Sequence, residues 1–394
     1  HGAIEDFTQS LQIDSENKLA WIERGKTRKE MGDLQGAIKD LTRSIEIDSE
    51  FMEALSERGK LRNKIGDLEG SIRDHTRTLE IEPGNAMNWK HRGFSRQKLG
   101  DLDGAIADYS RAIELHSSDS GSWINRGTVR KIKGDLDGAI ADYTEAIKIS
   151  PKDSHIWYNR GLAWHEKEDF DAAIADHTKA IEINPKDADF WYARGLAQKW
   201  KGNLDGAIQD YTRTLDIDSK YAGAWNNRGV ARRENGDLEG AIKDLTEALR
   251  ITPEQATVWF NRGYAWFTKG EIDRSLTDYN RAIELDPKDP KILVYRGVSR
   301  KKKGDLDGAI EDCTRALDLD SNYPLAWCNR GRVRYLKGDF DGAIEDCTRA
   351  IKLSPGYLHA TNYRGMARGE KGDLEGAIED PRFCAPACPR KSGR

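Results

Sequence analysis

The chain has 394 residues, a length that would ordinarily suggest two or three domains. Charged residues make up 33% of it, but 63 Lys and Arg stand against 67 Asp and Glu, so the net charge is only −4. This balance argues against a general nucleic-acid binder, which would be clearly basic. No apolar run approaches the roughly 18 residues of a membrane span, so no membrane insertion is expected.

A strict internal repeat occupies almost the whole chain. The pair Arg24-Gly25 recurs every 34 residues without any insertion. A fixed period of about 20–50 residues indicates a solenoid, in which each repeat contacts its neighbours. Counting Lys18 as position 1, we predict a partial repeat with the second helix only over 1–17, ten complete repeats over 18–357, the start of an eleventh over 358–380, and a non-repeat tail over 381–394. Pro381 and Pro386 cannot continue a helix, so this tail is expected to be disordered or foreign sequence.

Within each repeat the pattern predicts two helices. Positions 2–14 carry an apolar stripe at helical spacing, and the Gly that usually follows at position 15 suits a left-handed helix end. Asp at position 16 suits the N-cap of a second helix, which Pro or Ser at position 32 ends. Gly at position 8 costs about 1 kcal/mol relative to Ala in mid-helix, so it requires close contact with the Ala or Ser at position 20.

Trp at position 4 completes a recognisable signature. It occurs in eight repeats, namely at Trp21, Trp89, Trp123, Trp157, Trp191, Trp225, Trp259 and Trp327. With the Gly, Ala and Pro positions, this pattern resembles the tetratricopeptide repeat (TPR) family, and its Asn159-Arg160-Gly161 form resembles a bacterial variant. The resemblance implies an all-α, right-handed superhelical solenoid with first helices along a concave groove. It also implies a protein-interaction scaffold that grips an extended segment.

Two positions depart from the family pattern in every repeat. Position 7 is Arg where the family usually has Leu, and position 23 is Asp where the family usually has a large residue. We interpret them as a structural ladder of ion pairs between the two helices of each repeat or of adjoining repeats. Its members include Arg24 and Asp40, Arg58 and Asp74, Arg194 and Asp210, and Arg330 and Asp346.

The family resemblance places positions 2, 5, 9 and 12 in the groove, where ten cations face two anions. This excess predicts that a protein partner contributes an acidic or aromatic-bearing segment, and Phe260→Ala and Tyr264→Ala are expected to weaken binding with little loss of stability. A solvated face with scattered aromatics is the alternative interpretation. The candidate partner-binding residues are Tyr158, Tyr192, Lys199, Trp200, Arg233, Phe260, Tyr264, Phe267 and Lys301.

No constellation of residues indicates catalysis, a cofactor or a metal. The eight His form no metal-binding motif and are expected at the surface. Cys313 and Cys347 are expected in the core, and Cys384 and Cys388 have no companion ligands for zinc. Because repeats occupy the chain, no length remains for a catalytic domain, and we predict that the protein is not an enzyme.

Position 25 is usually Thr, although Thr is a mediocre helix former. Simple repeat duplication is one explanation. The other is an array of exposed hydroxyls open to O-linked modification in an extracellular protein. The candidate sites are Thr42, Thr76, Thr144, Thr178, Thr212 and Thr246.

The two ends of the repeat array suggest an alternative function. The chain begins with a second helix, and the segment Gly2-Ala3-Ile4 recurs as Gly376-Ala377-Ile378. Solenoid ends usually need polar caps, and an unclosed head-to-tail contact builds a filament. The alternatives are therefore a self-assembling structural protein or a chain cut arbitrarily from a longer array. Nothing in the sequence predicts a compartment.

Overall fold

The computed structural model describes residues 2–379, and every regular element in this range is a helix. The predicted all-α class is therefore confirmed, while the tail with Cys384 and Cys388 lies outside the described residues. We call the even-numbered helices A helices and the odd-numbered ones B helices. The helices are α1 (Gly2–Ile13), α2 (Lys18–Glu30), α3 (Leu34–Ile47), α4 (Met52–Ile65), α5 (Leu68–Ile81), α6 (Ala86–Leu99), α7 (Leu102–Leu115), α8 (Ser120–Ile132), α9 (Leu136–Ile149), α10 (Ser154–Glu166), α11 (Phe170–Ile183), α12 (Ala188–Trp200), α13 (Leu204–Ile217), α14 (Ala222–Glu234), α15 (Leu238–Ile251), α16 (Ala256–Lys269), α17 (Ile272–Leu285), α18 (Pro290–Lys303), α19 (Leu306–Leu319), α20 (Pro324–Leu336), α21 (Phe340–Leu353), α22 (Leu358–Glu370) and α23 (Leu374–Glu379).

The helices belong to two compact units, His1–Lys201 and Gly202–Arg394. Inside each unit an A helix packs against the B helix before it and the B helix after it, as α4 does with α3 and α5. Successive A helices also contact one another, as α18 does with α20 and α20 with α22. Among the described helices, successive B helices show no comparable contact. The A helices therefore line the inner face of each unit.

Tight turns join the A and B helices of a repeat. Gly at position 15 has a positive φ, from 82° at Gly134 to 94° at Gly270, as the left-handed helix end requires. Asp at position 16 then caps the B helix, as in the bond from the Gly36 amide to the Asp33 Oδ1 at 2.8 Å. Both predictions are confirmed. The turn in the fifth repeat has Glu168 at this position, with a φ of 63°.

Gly at position 8 marks the closest approach between the two helices of a repeat. A Cβ added to Gly25 would lie 3.3 Å from the carbonyl oxygen of Ala37, so the predicted contact with position 20 is confirmed. The more demanding neighbour is the large side chain at position 24. A Cβ at Gly161 would lie only 2.6 Å from the Cε1 atom of His177, so a residue with a side chain there would force His177 to move.

The left-handed turn at Glu168 can be tested by substitution. A residue with a side chain costs roughly 1 kcal/mol in the left-handed region, and Gly does not carry this cost. We expect Glu168→Gly to raise the free energy of unfolding by about 0.5–1 kcal/mol. The opposite change at the equivalent Gly134, Gly134→Ala, should lower it. Denaturant unfolding, with amide hydrogen exchange of α10 and α11, measures both effects. Equal stabilities for Glu168→Gly and the parent chain would contradict the expectation.

Candidate functional site

A largely buried ion pair joins the two helices of a repeat. In the first complete repeat, Arg24 donates from Nε to Asp40 Oδ2 at 3.0 Å and from Nη2 to Asp40 Oδ1 at 2.8 Å. The third nitrogen, Nη1, donates to the hydroxyl of Thr8 in the preceding B helix at 3.0 Å. The ring of Trp21 covers the guanidinium, whose Cζ lies 4.6 Å from the ring centroid. One arginine therefore connects three helices while Asp40 is only 2% exposed.

The same arrangement recurs along both units. Arg58 and Asp74 pair at 2.7 and 3.0 Å, and Arg330 and Asp346 pair at 2.8 and 2.9 Å. A second arginine at position 11 adds a bond to the same carboxylate, as Arg62 does to Asp74 at 2.8 Å. Multiple charge-assisted bonds offset part of the desolvation of these carboxylates, although burial still raises the pKa of Asp346.

One predicted pair of this ladder has its two residues in different units. Arg194 donates to the Thr178 hydroxyl at 3.1 Å and lies over Trp191. Asp210 belongs to the second unit, so its pairing with Arg194 stays a prediction from the sequence.

The threonines at position 25 are part of this ladder. Thr42, for example, donates to the carbonyl of Ile38 at 2.7 Å and accepts the Nη1 proton of Arg58 at 3.1 Å. The expected array of free, exposed hydroxyls is therefore not what the structure shows, because each hydroxyl is engaged by the next repeat. The arginine bonds to the other candidates run from Arg92 to Thr76, Arg160 to Thr144, Arg194 to Thr178, Arg228 to Thr212 and Arg262 to Thr246.

A second, exposed ladder was not predicted. Lys at position 14 pairs with Asp at position 18 of the preceding repeat, as in Lys167 with Asp137 at 2.5 Å and Lys303 with Asp273 at 2.7 Å. Lys and Asp recur at these positions in the sequence, so their period could have revealed the pairs. Because the side chains are exposed, each pair contributes roughly 0–1 kcal/mol.

The buried and exposed ladders should respond differently to substitution. Arg330→Leu leaves Asp346, which is fully buried, short of its main partner, and should cost roughly 3–5 kcal/mol of unfolding free energy. Adding Asp346→Leu should recover most of this loss, because the uncompensated charge is removed. Lys303→Ala is the exposed control and should cost at most about 1 kcal/mol. Denaturant unfolding of the four chains decides the point, and equal losses for the single and double Arg330 variants would argue against it.

Most groove cations of the first unit are neutralised within the chain. Five of the six, all except Lys199, have a carboxylate at 2.6–3.3 Å, and most of these acids lie at repeat positions outside the four used to count groove charge. The expected excess of ten cations over two anions is therefore wrong for this unit. The pairs are Lys26 with Glu23 and Glu53, Lys29 and Lys60 with Glu57, Lys90 with Asp119, and Lys131 with Glu166.

The inner face of the second unit has fewer such ion pairs. Helices α16, α18 and α20 contain no Asp or Glu, and neither do α6 and α8 of the first unit. Two cations of this face lie against aromatic rings. Arg233 of α14 lies 4.5 Å from the centroid of Tyr264 and also pairs with Glu234 at 3.2 Å, whereas Lys302 lies 5.0 Å from the centroid of Phe267. Such cation–π contacts leave the positive charge accessible to an anion.

Phe260 does not line this face. It is 6% exposed and packs in the core against Tyr279 and Tyr295, so the expectation that Phe260→Ala leaves stability unchanged is wrong. Ile22 and Val294, at the same repeat position, are also buried. Position 5 therefore faces the next helix when its residue is apolar.

The remaining candidates are more accessible. Tyr264, Phe267, Arg233 and Lys301 are half-buried on the inner face of the second unit. In the first unit, Trp200 is 68% exposed and stacks on Phe170. The other first-unit candidates, all half-buried, are Tyr158, Tyr192 and Lys199.

Two histidines expected at the surface lie in the core. His75 and His177 occupy position 24 and have no exposed area. Burial lowers the pKa of His75 to about 4 and that of His177 to about 3. Neighbouring cations act in the same direction, namely Lys60 and Arg92 for His75. Both imidazoles are therefore neutral in the folded chain at pH 7.

The two buried histidines should make the stability of the folded chain sensitive to acid. Their folded pKa values lie below the unfolded value of about 6.5, so their contribution is complete above pH 6.5 and is lost as the pH falls toward 4. Unfolding free energy should fall by roughly 1–2 kcal/mol per histidine between pH 6.5 and 5. His75→Leu with His177→Leu, which copies Leu41 and Leu245 at the same position, should flatten this dependence. An unchanged slope in the double variant would contradict the assignment.

Within residues 2–379 no cluster of three or more His, Cys, Asp or Glu could hold a metal ion. Cys313 and Cys347 are buried, as predicted. No helix in the described part of the chain has both the length and the apolar character needed to cross a bilayer.

Paired helices with a strict 34-residue period define an all-α repeat solenoid. Sequence profiles of the tetratricopeptide repeat match more than half of the chain, and the protein belongs to the tetratricopeptide repeat family. Members of this fold typically act as protein-interaction scaffolds. The matched residues are 19–51, 127–167, 155–187, 192–256, 226–290, 297–338 and 324–357.

Several solved structures are similar to this chain. The Cut9–Hcn1 hetero-tetramer of the APC/C is 16% identical, covers 96% of this chain and 88% of its own, and has a TM-score of 0.49. Yeast Tom70 is 15% identical over 93% of this chain and 91% of its own, with a TM-score of 0.48. A tetratricopeptide repeat protein from Parabacteroides merdae is 20% identical over 63% of this chain and 98% of its own, with a TM-score of 0.48. No curated protein matches the sequence.

Proposed function

We propose that this protein is a non-catalytic scaffold and that its second unit binds an extended, acidic partner segment along the A helices. The observation that carries the proposal is the composition of this inner face. From α16 to α20 it presents aromatic rings and cations, and these three helices contain no carboxylate of their own. An acidic segment would supply the missing anions, and its apolar side chains could contact Tyr264 and Phe267.

The first unit supports this location by contrast. Five of its six groove cations already have carboxylate partners, such as Asp119 for Lys90 at 3.0 Å. An incoming acidic segment would have to displace these carboxylates and would gain little. Head-to-tail self-association and O-linked modification stay predictions from the sequence.

A peptide-display selection on the whole chain tests the function. Selected segments should be rich in Asp and Glu, and Tyr264→Ala and Phe267→Ala should each weaken their binding by roughly tenfold, because both rings lie on the proposed face. Raising the salt concentration should also weaken binding, since exposed charges are screened over about 10 Å at 0.1 M. Fluorescence anisotropy with labelled peptides measures both effects.

The matched control is Arg349→Ala, which removes an exposed cation from the B helix α21. It should leave affinity unchanged. Thermal unfolding of each variant separates lost binding from lost fold. Salt-independent binding, or a larger effect at Arg349 than at Tyr264, would overturn the proposal.

A further inference from the structure

Two cations on the inner face of the second unit have no anion beside them. Lys301 lies near the end of α18, and Arg332 lies in the middle of α20. Neither residue forms an ion pair within the described part of the chain, although most other arginines and lysines of the A helices do. Their charges are therefore not used to hold the repeats together.

Arg332 also has a donor without an acceptor. Its Nε atom is buried and has no hydrogen-bond partner among the described residues. The guanidinium lies over the ring of Tyr363, with Cζ 5.3 Å from the centroid. Leaving a buried N–H of a charged group unpaired is unfavourable, and an incoming acceptor removes that penalty.

The surroundings of Lys301 are also deficient in negative charge. Burial first, and then the positive charge of Arg332, lower its pKa to about 8. Thiols of Cys313 and Cys328 are the other titratable groups that act on it, and no carboxylate does. An anion bound near both cations would relieve their mutual repulsion.

A cavity of about 120 Å³ lies beside Arg332, between α20 and the start of α22. Asn329, His359 and Tyr363 contribute to its wall, as do Cys328 and Tyr357. The Asn329 amide donates to the carbonyl of Leu325 at 2.8 Å, whereas the buried Nε atom of Arg332 has no acceptor among the described residues. The cavity combines a charged fork, an aromatic wall and room for a small planar group.

We propose that this cavity binds a side-chain carboxylate, from an Asp or Glu of the partner segment, through Arg332, while Lys301 of the preceding A helix adds a second positive charge nearby. The proposal rests on the proposed function, since it names the anchor point of the acidic segment. Arg332 would supply directional bonds to the carboxylate and Lys301 a point charge. In the first unit, Asp119 fills the corresponding role for Lys90 from within the chain.

The probe is a peptide of six glutamates, acetylated and amidated so that only side-chain carboxylates are available. NMR of the whole chain with labelled lysines follows the Lys301 pKa and the peptide affinity together. In the absence of peptide, Arg332→Gln should raise the Lys301 pKa above about 8, because the second cation is removed. Adding peptide to the parent chain should raise it as well.

Affinity variants identify the anchor. Arg332→Gln should weaken binding of the peptide by at least roughly tenfold. Arg332→Lys should weaken it less, because the charge is kept while the forked guanidinium is lost. Lys90→Gln, which removes a cation that already has a carboxylate partner, should have no effect. Thermal unfolding should be the same for Arg332→Gln and the parent chain, since Arg332 holds no ion pair.

Equal affinity of the parent chain and Arg332→Gln, or a Lys301 pKa that the peptide leaves unchanged, would refute the anchor. Tighter binding of the same peptide with a free carboxyl end would assign the cavity to a chain terminus and overturn the side-chain proposal. If binding of the displayed segments depends on Tyr264 and Phe267 but not on Arg332, the anchor proposal is refuted and the proposed function stands. If no segment binds the second unit, the proposed function fails as well.

Discussion

The bidentate pair between Arg at position 7 and Asp at position 23 is the interaction on which the stack depends. Arg24 illustrates why: it bonds Asp40 in its own repeat, reaches Thr8 in the preceding one, and lies under Trp21. A single side chain therefore fixes the angle within a repeat and the register between repeats. Because a solenoid has only nearest-neighbour contacts, repeating this group of residues determines the geometry of each unit. The cost is a buried charge in every repeat, which makes loss of one partner far more damaging than loss of both.

Sequence alone predicted the parts of the fold that depend on local backbone requirements. Gly134 and its equivalents were assigned to left-handed turns, and Asp33 and its equivalents to N-caps, because each has one physical reason to recur. The role of Thr42 was missed, since its hydroxyl bonds an arginine 16 residues later in another repeat. Phe260 was misplaced for a similar reason: Tyr295 from the next A helix covers it, and a count of positions within one repeat does not include that neighbour.

Charge counting failed in the first unit for a geometric reason. Lys26 and Lys60 were counted as free groove cations, but each has a glutamate one helical turn away at a position left out of the count. Glu23 pairs with Lys26, and Glu57 pairs with Lys60. Residues three apart on a helix are neighbours, so these pairs form without any help from tertiary structure. The useful quantity is therefore the number of cations without a carboxylate neighbour, and by this measure the positive character of the inner face is concentrated in the second unit.

Charged residues in this repeat protein therefore have two separate roles, stabilisation of the stack and recognition of a partner. Arginines at position 7 recur in every repeat and are buried or half-buried, so they can stabilise the stack but cannot distinguish one partner from another. Lys301 and Arg332 lie at positions whose residue differs between repeats, and neither forms an ion pair within the described part of the chain. A partner gains most binding free energy at cations that have no carboxylate neighbour within the chain, because there it replaces unfavourable burial with charge-assisted bonds. Specific recognition should therefore arise where the repeats differ from one another, while their shared residues maintain the surface on which those differences are displayed.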